Sequence, residues 1–168
     1  VYGMGAFGLA SRLDIPRGDA QRFIDDYFGA YPGVKGYLER TVEEGKENGY
    51  VETMLGRRRY LPDLNSSNGR LRSFAERTAV NTPIQGTAAD LIKLAMIAID
   101  KELRDKKYAT RMILQVHDEL IFDTPESELE EITALAKKLM ENRLDLKVPL
   151  IVDAGHGKNW LEAHGLEG

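Results

Sequence analysis

The sequence predicts an α+β fold in which helices back a small antiparallel sheet. Three observations carry that reading. Apolar positions recur at helical spacing over 19–30, 34–48, 72–104 and 126–143. Two pairs of β-rich runs, 50–54 with 58–61 and 111–115 with 120–123, lie close enough to form hairpins. A last apolar run, 148–154, reads as a returning strand. Strands joined by hairpins, with helices gathered to one side, belong to the α+β class.

The elements follow in order. Residues 1–13 are apolar and Gly-interrupted and open without a methionine or a capping residue, which predicts a helix entered in its interior and a chain that is a fragment. Phe23, Ile24, Tyr27 and Phe28 mark the next helix, Tyr31-Pro32-Gly33 breaks it, and Val34, Tyr37, Leu38 and Val42 mark its antiparallel partner. Tyr27, Phe28, Tyr31 and Tyr37 at this spacing read as core, a base-stacking platform being the other use of such residues. Asn48-Gly49 is a left-handed helix stop, after which a hairpin turns on Leu55-Gly56-Arg57. The polar stretch 63–69 is the best internal boundary.

The helical region 72–104 is interrupted at Asn81-Thr82-Pro83, because proline cannot donate a backbone hydrogen bond and disfavours helical geometry before it. Thr82 and Gln85 stand at capping-box spacing, with Pro83 in the first helical position. Leu91, Ile92, Leu94, Met96, Ile99 and Leu103 make an apolar face so wide that this helix is expected to be largely buried. The helix over 126–143 starts with an acidic first turn that complements its dipole.

Composition excludes whole classes. At 168 residues, with 42% hydrophobic and 30% charged, the chain holds one or two compact soluble units. Without cysteine there is no disulfide scaffold, thiolate zinc site or cysteine nucleophile. No window has the roughly 18 uncharged apolar residues of a membrane span, and with zero cysteines a cytoplasmic home fits. The net charge of −4 argues against holding nucleic acid by overall positive potential. Residues 57–77 nevertheless carry Arg57, Arg58, Arg59, Arg70, Arg72 and Arg77 against Asp63 and Glu76, a local +4 that by charge alone reads first as a solvated face and could also meet phosphates.

Two constellations point to chemistry. A tight hairpin normally turns on Gly or Asn, yet between the apolar runs here stand His117, Asp118 and Glu119. Adjacent carboxylates repel each other, and holding them on a rigid tip makes sense if a hard divalent cation such as Mg²⁺ is bound there. The same residues also suit an exposed polar tip. Arg77, Asn81 and Gln85, at i, i+4 and i+8, would line one helix face with side chains able to meet base edges in a groove. Locally, Asn81 also serves as a pre-proline residue and Gln85 as a cap. Gly155-His156-Gly157-Lys158 lacks the spacing of a phosphate loop and reads as a turn, and His156 and His164 read as surface residues.

Taken together, Tyr2-Gly3-Met4, Gly56-Arg57-Arg58-Arg59-Tyr60-Leu61-Pro62, the run from Arg77 through Asn81-Thr82-Pro83-Ile84-Gln85-Gly86-Thr87-Ala88-Ala89-Asp90, Gln115-Val116-His117-Asp118-Glu119-Leu120 and Gly155-His156-Gly157-Lys158-Asn159-Trp160 resemble, in order, the C-terminal part of the bacterial DNA polymerase I family, family A. The resemblance implies part of a right-hand polymerase: residues 1–70 as the end of the fingers and 71–168 as part of the palm, its small antiparallel sheet backed by helices. It implies template-directed addition of deoxynucleoside triphosphates to a primer 3′-end with two Mg²⁺ ions, in a monomeric bacterial enzyme working on primer-template DNA in the cytoplasm at the nucleoid. Asp118 is then similar to the family's metal-ligating aspartate and Glu119 to its companion, both catalytic. His117 resembles the support of the primer terminus. Arg77, Asn81 and Gln85 are similar to residues that feel the minor groove, Arg57, Arg58 and Arg59 to DNA contacts, and Tyr2 to the tyrosine near the templating position.

The family's first catalytic aspartate, in an Asp-Tyr-Ser-x-x-Glu segment, does not occur in this sequence, so the 168 residues alone are expected to be inactive. Two rival readings stand beside the resemblance. One is a non-catalytic nucleic-acid-binding module using 57–77. The other is a small metal-dependent phosphohydrolase at Asp118 and Glu119, which lacks further convergent acids or histidines.

Overall fold

A computed structural model describes residues 4–165, so Tyr2 lies outside the described residues. The chain divides into two compact units, Val1–Thr87 and Ala88–Gly168. The α+β class holds: the fold is mostly helical, with two small antiparallel sheets of two strands each.

In the first unit, α1 (Ala6–Leu13) and α2 (Arg17–Ala30) pack on each other, and α3 (Pro32–Asn48) follows after the break at Tyr31. Pro32 sits in the first turn of α3, where its missing N–H is no loss. Gly49 ends α3 at φ 78°, its N–H bonded back to the Gly45 carbonyl at 2.9 Å. Strands β1 (Tyr50–Glu52) and β2 (Arg58–Tyr60) then pair antiparallel, with Val51 opposite Arg59. Tyr27 stands edge-on to Phe28, with ring centroids 5.4 Å apart, and tilted against Tyr31 at 5.2 Å. Tyr27, Phe28 and Tyr37 are half-buried and Tyr31 is exposed, so the core role expected of them is met only in part.

Within the stretch 63–69, expected as an internal boundary, most residues are exposed but Leu64 is buried. A 3₁₀ turn over Pro62–Asn65 drives Leu64 inward until it is 1% exposed, where it packs with Val51, Leu61, Ala75 and Ala79. Burying one such side chain contributes about 1.5–3 kcal/mol. Helix α3 comes so close that a Cβ on Gly45 would lie 2.9 Å from Leu64 Cδ1 and 3.1 Å from Val51 Cγ1. Helix α4 (Gly69–Asn81) is capped by the Asn68 side chain, which accepts from the Arg70 and Leu71 N–H groups.

At Pro83 the chain does not restart with a capping box. Thr82 keeps helical geometry, and its hydroxyl donates back to the Thr78 carbonyl at 2.7 Å rather than capping forward. Residues Thr82–Gly86 form a π turn leading into α5 (Thr87–Asp105). The physical reason is that proline removes one donor from the ladder, and a wider turn absorbs the loss without ending the helix.

In the second unit, β3 (Arg111–Val116) and β4 (Glu119–Asp123) form the predicted antiparallel hairpin, with a bulge between Met112 and Leu114. A 3₁₀ turn, Glu126–Glu128, precedes α6 (Leu129–Glu141), and α7 (Trp160–Ala163) is a single short turn. Ile99, Leu103 and Ile132 are buried, with Leu120 and Phe122 packed against them. Helix α5 is less buried than expected: Ala95 and Ile99 face inward, but Ile97 is 68% exposed and Leu94 is exposed as well. The expected strand at 148–154 does not form. It is extended chain with Ile151 74% exposed, tied by the Val152 N–H to Glu141 Oε1 at 2.9 Å. An apolar β-rich run becomes a strand only where an edge accepts it, and Pro149 lacks one of the donors a ladder needs.

The start of β3 is pinned by Glu128, whose carboxylate accepts from the Ala109 and Thr110 N–H groups, both at 2.9 Å, and from the Thr110 hydroxyl at 2.6 Å. The Thr110 hydroxyl first, and then the Ala109 N–H, hold the Glu128 carboxyl below its ordinary value of 4.5. Folding therefore favours the charged form. The stabilisation is complete above that ordinary value and disappears as pH falls through the lower folded-state value. Urea unfolding followed from pH 6 downward, with Glu128→Gln beside the parent, should show the parent losing stability more steeply than the variant through the acid range. Parallel curves would show that this contact does not couple to folding.

Candidate active site

The tip of the second hairpin is a two-residue loop: Val116 pairs with Glu119, leaving His117 and Asp118 between them. His117 takes φ 53°, a left-handed value uncommon for a residue other than glycine. Gln115 Nε2 donates across the turn to the His117 carbonyl. His117, Asp118 and Glu119 are all exposed, and the Asp118 carboxylate makes no hydrogen bond or ion pair among the described residues. In β4, Leu120 and Phe122 point to the core, so the two-residue period puts Glu119 on the opposite face.

That face has a neighbour. His164 Nε2 lies 3.1 Å from Glu119 Oε1, while its Nδ1 lies 2.8 Å from the Trp160 carbonyl. Both partners are acceptors, so both bonds form together when the ring is protonated. The Trp160 carbonyl first, and then Glu119, accordingly raise the His164 pKa above its ordinary value. His164 is exposed, as expected of a surface residue, yet its ring is held by two partners. Gly155 and Gly157 lie outside helix and strand, in close contact with α7. A Cβ on Gly155 would stand 1.9 Å from the Ala163 carbonyl oxygen, and one on Gly157 would stand 2.5 Å from Glu162 Cβ. These glycines admit α7 at close range.

The groove-reading candidates belong to the first unit. Arg77 and Gln85 are exposed, with side chains that make no hydrogen bond or ion pair among the described residues. Asn81 is half-buried, and its buried Oδ1 has no hydrogen-bond partner among the described residues. Arg77 and Asn81 share a face of α4. Gln85 lies beyond the start of the π turn, so its bearing follows the wider turn and not the regular i, i+4, i+8 alignment predicted for the three.

The three consecutive arginines divide their work. Arg57 Nη2 donates to the Gly86 carbonyl at 3.0 Å, tying the hairpin to the π turn. Arg58 is held by Glu52 at 2.8 Å and lies 4.4 Å above the Tyr50 ring; the Glu52 bond chiefly raises its already high pKa. Arg59 is exposed. Arg72 is turned to the Ser66 carbonyl at 3.0 Å. Much of the positive charge in 57–77 is thus engaged within the fold.

Among the described residues no group of three or more His, Asp or Glu side chains is placed to hold a metal ion. Asp118 and Glu119 are a pair of hard oxygen donors of the kind Mg²⁺ takes, but they are short of a complete set. Sequence reasoning missed two positions that build these surfaces, His164 and Gly86. A Cβ on Gly86 would lie 2.6 Å from Thr53 Cγ2, so the glycine lets the π turn meet the first hairpin. Thr87 completes that joint: its hydroxyl oxygen accepts from the Met54 N–H at 2.9 Å, and its hydroxyl donates to the Pro83 carbonyl. Thr53 and Gly86 lie far apart in the sequence, so no local signal would reveal the joint from sequence alone.

Comparison with known proteins agrees with the resemblance. The model of DNA polymerase family A matches residues 1–162, a span that leaves His164 outside it. DNA polymerase I of Lactococcus lactis subsp. cremoris is 53% identical over 163 residues, covering 97% of this chain and 19% of that protein. DNA polymerase I of Pseudomonas aeruginosa is 51% identical over 164 residues, covering 98% of this chain and 18% of that protein. The POL domain of Pol1 from M. smegmatis, solved in complex with DNA primer-template and dNTP, superposes with a TM-score of 0.93 at 46% identity, over 97% of this chain and 29% of that one. The chain thus spans about a fifth of the length of these curated relatives.

The joint between the first hairpin and the π turn can be tested by paired substitutions. Gly86→Ala should lower stability by about 1–3 kcal/mol through overpacking. Thr53→Ser removes the methyl that the new Cβ meets while keeping the hydroxyl that accepts from the Arg57 N–H at 3.2 Å. The double variant should therefore recover part of the loss in thermal unfolding. Strict additivity of the two changes would show that the close approach is not what requires glycine.

Proposed function

The chain belongs to DNA polymerase family A, and from that membership we propose that it is the part of an intact template-directed DNA polymerase that presents the acidic hairpin to the primer end. The reaction is attack by a primer 3′-hydroxyl on the α-phosphate of a deoxynucleoside triphosphate, with pyrophosphate leaving. The observation that carries the reading is the Asp118 carboxylate, which is unpartnered on a two-residue turn whose backbone adopts a positive φ at His117. Such strain is retained where an exposed group has to be aimed.

In this reading Asp118 and Glu119 supply the carboxylates that this segment contributes to a Mg²⁺ site completed from elsewhere in the polymerase. When bound, the two ions supply activation of the attacking hydroxyl and neutralisation of the departing pyrophosphate. His117 supports the primer terminus. Arg77, Asn81 and Gln85 meet the minor groove, where acceptors occupy similar places for every correct pair, so that hydrogen bonds test pair shape without reading sequence. The unpartnered Asn81 Oδ1 is in keeping with a residue that completes its bonding on DNA. Arg59 is the arginine free to meet phosphates, while Arg57 and Arg58 brace the hairpin that carries it. Residues 1–70, with Tyr2 near the templating position, belong to the fingers and 71–168 to the palm.

The experiment uses the intact polymerase. Asp118→Ala should lower primer extension by about 10³-fold or more, several kcal/mol of transition-state stabilisation, with primer-template affinity nearly unchanged because the carboxylate does not hold DNA. The 168 residues alone should give no product in the same assay, lacking the partner aspartate. Equal losses of affinity and turnover in Asp118→Ala, or robust extension by the isolated chain, would refute the assignment.

A further inference from the structure

We propose that His164 is a positioning residue for Glu119, holding its carboxylate from the side of the hairpin opposite the core. The inference rests on the place given to Glu119 in the proposed function above. Its evidence is geometric. The His164 ring is fixed at three points: Nε2 on Glu119 Oε1 at 3.1 Å, Nδ1 on the Trp160 carbonyl at 2.8 Å, and its face edge-on to the Trp160 indole with centroids 5.5 Å apart. A ring held in this way has one orientation to offer. Glu119 is an exposed side chain with several rotatable bonds, and immobilising such a group costs rotamer entropy. A bond made in the fold meets that cost before substrate arrives.

The construction around His164 fits this role. An isolated helix of one turn is unstable in water. Helix α7 is nevertheless secured several times over. The Asn159 side chain accepts from the Glu162 N–H at 3.0 Å, and Glu162 accepts from the Lys158 N–H at 2.9 Å and from Asn159 Nδ2 at 2.7 Å. Gly155 and Gly157 leave no room for a Cβ where the preceding chain crosses α7. The group these supports deliver to the hairpin is the imidazole of His164. The closing Gly-His-Gly-Lys-Asn-Trp segment thereby acquires a purpose that its sequence does not disclose, as the base on which a bracket for Glu119 is built.

The test is kinetic and spectroscopic, in the intact polymerase. His164→Ala should lower kcat for primer extension about tenfold, the size usual for a residue that orients a ligand side chain, with primer-template affinity and unfolding midpoint at parental values. His164→Gln, which keeps an N–H donor near the position of Nε2, should recover most of that loss. In a Glu119→Ala background His164→Ala should bring no further loss. With ¹⁵N-labelled histidine and no DNA, the His164 ring signals should move in Glu119→Ala. Parental kcat in His164→Ala while Asp118→Ala is inactive overturns the inference and leaves the proposed function standing. An undiminished loss in the Glu119→Ala background, unmoved ring signals, or a lowered unfolding midpoint without rescue by Gln also overturns it, the last showing a mere tether for the chain end. Full extension by Asp118→Ala removes the proposed function and this inference together.

Discussion

A hairpin of two strands is marginal in water unless another element takes its apolar face. That constraint organises the second unit. Strands β3 and β4 persist because Leu120 and Phe122 press onto Ile99, Leu103 and Ile132 of the helices behind them. Since side chains alternate along a strand, burying Leu120 and Phe122 obliges Glu119 to face away from the core. The placement of the acidic residues is therefore a consequence of where the large apolar side chains are buried. Glu128 adds a polar anchor at the far end of β3, so the hairpin is gripped at its base while Asp118 at its tip stays exposed.

The first unit meets the same constraint with less material. Strands β1 and β2 are three residues each, and Val51 is the buried residue of that pair. Stability there depends on close approach: Gly45 admits Leu64 and Val51 to α3, and Gly86 admits Thr53 to the π turn. The arginines follow from this architecture. Arg57 and Arg58 are drawn into bracing the hairpin, which leaves the third, Arg59, at the surface. A local charge of +4 in the sequence consequently overstates what the folded segment offers to phosphate, which weakens the reading of 57–77 as a stand-alone nucleic-acid-binding module.

Membership of family A turns several exposed features into expected ones. The curated relatives extend well beyond this segment, which spans about a fifth of their length. Among the described residues the carboxylate of Asp118 and the side chains of Arg77 and Gln85 make no hydrogen bond or ion pair, which is in keeping with the roles proposed for them above.

Local sequence determined the elements whose cause is local. The stop at Gly49, the break at Tyr31-Pro32, both hairpins and α6 are set by backbone conformational preference and by hydrophobic period, which a short window contains. The tripeptide His117-Asp118-Glu119 was legible as a candidate site because it violates ordinary turn chemistry. Tertiary structure decided the rest: the loss of a strand at 148–154, the exposed side of α5, the π turn in place of a capping box, and the contact of His164 with Glu119. Each of these depends on whether a distant surface arrives to accept a hydrogen bond or an apolar face, and such an arrival is a property of the packed chain and not of any stretch of its letters.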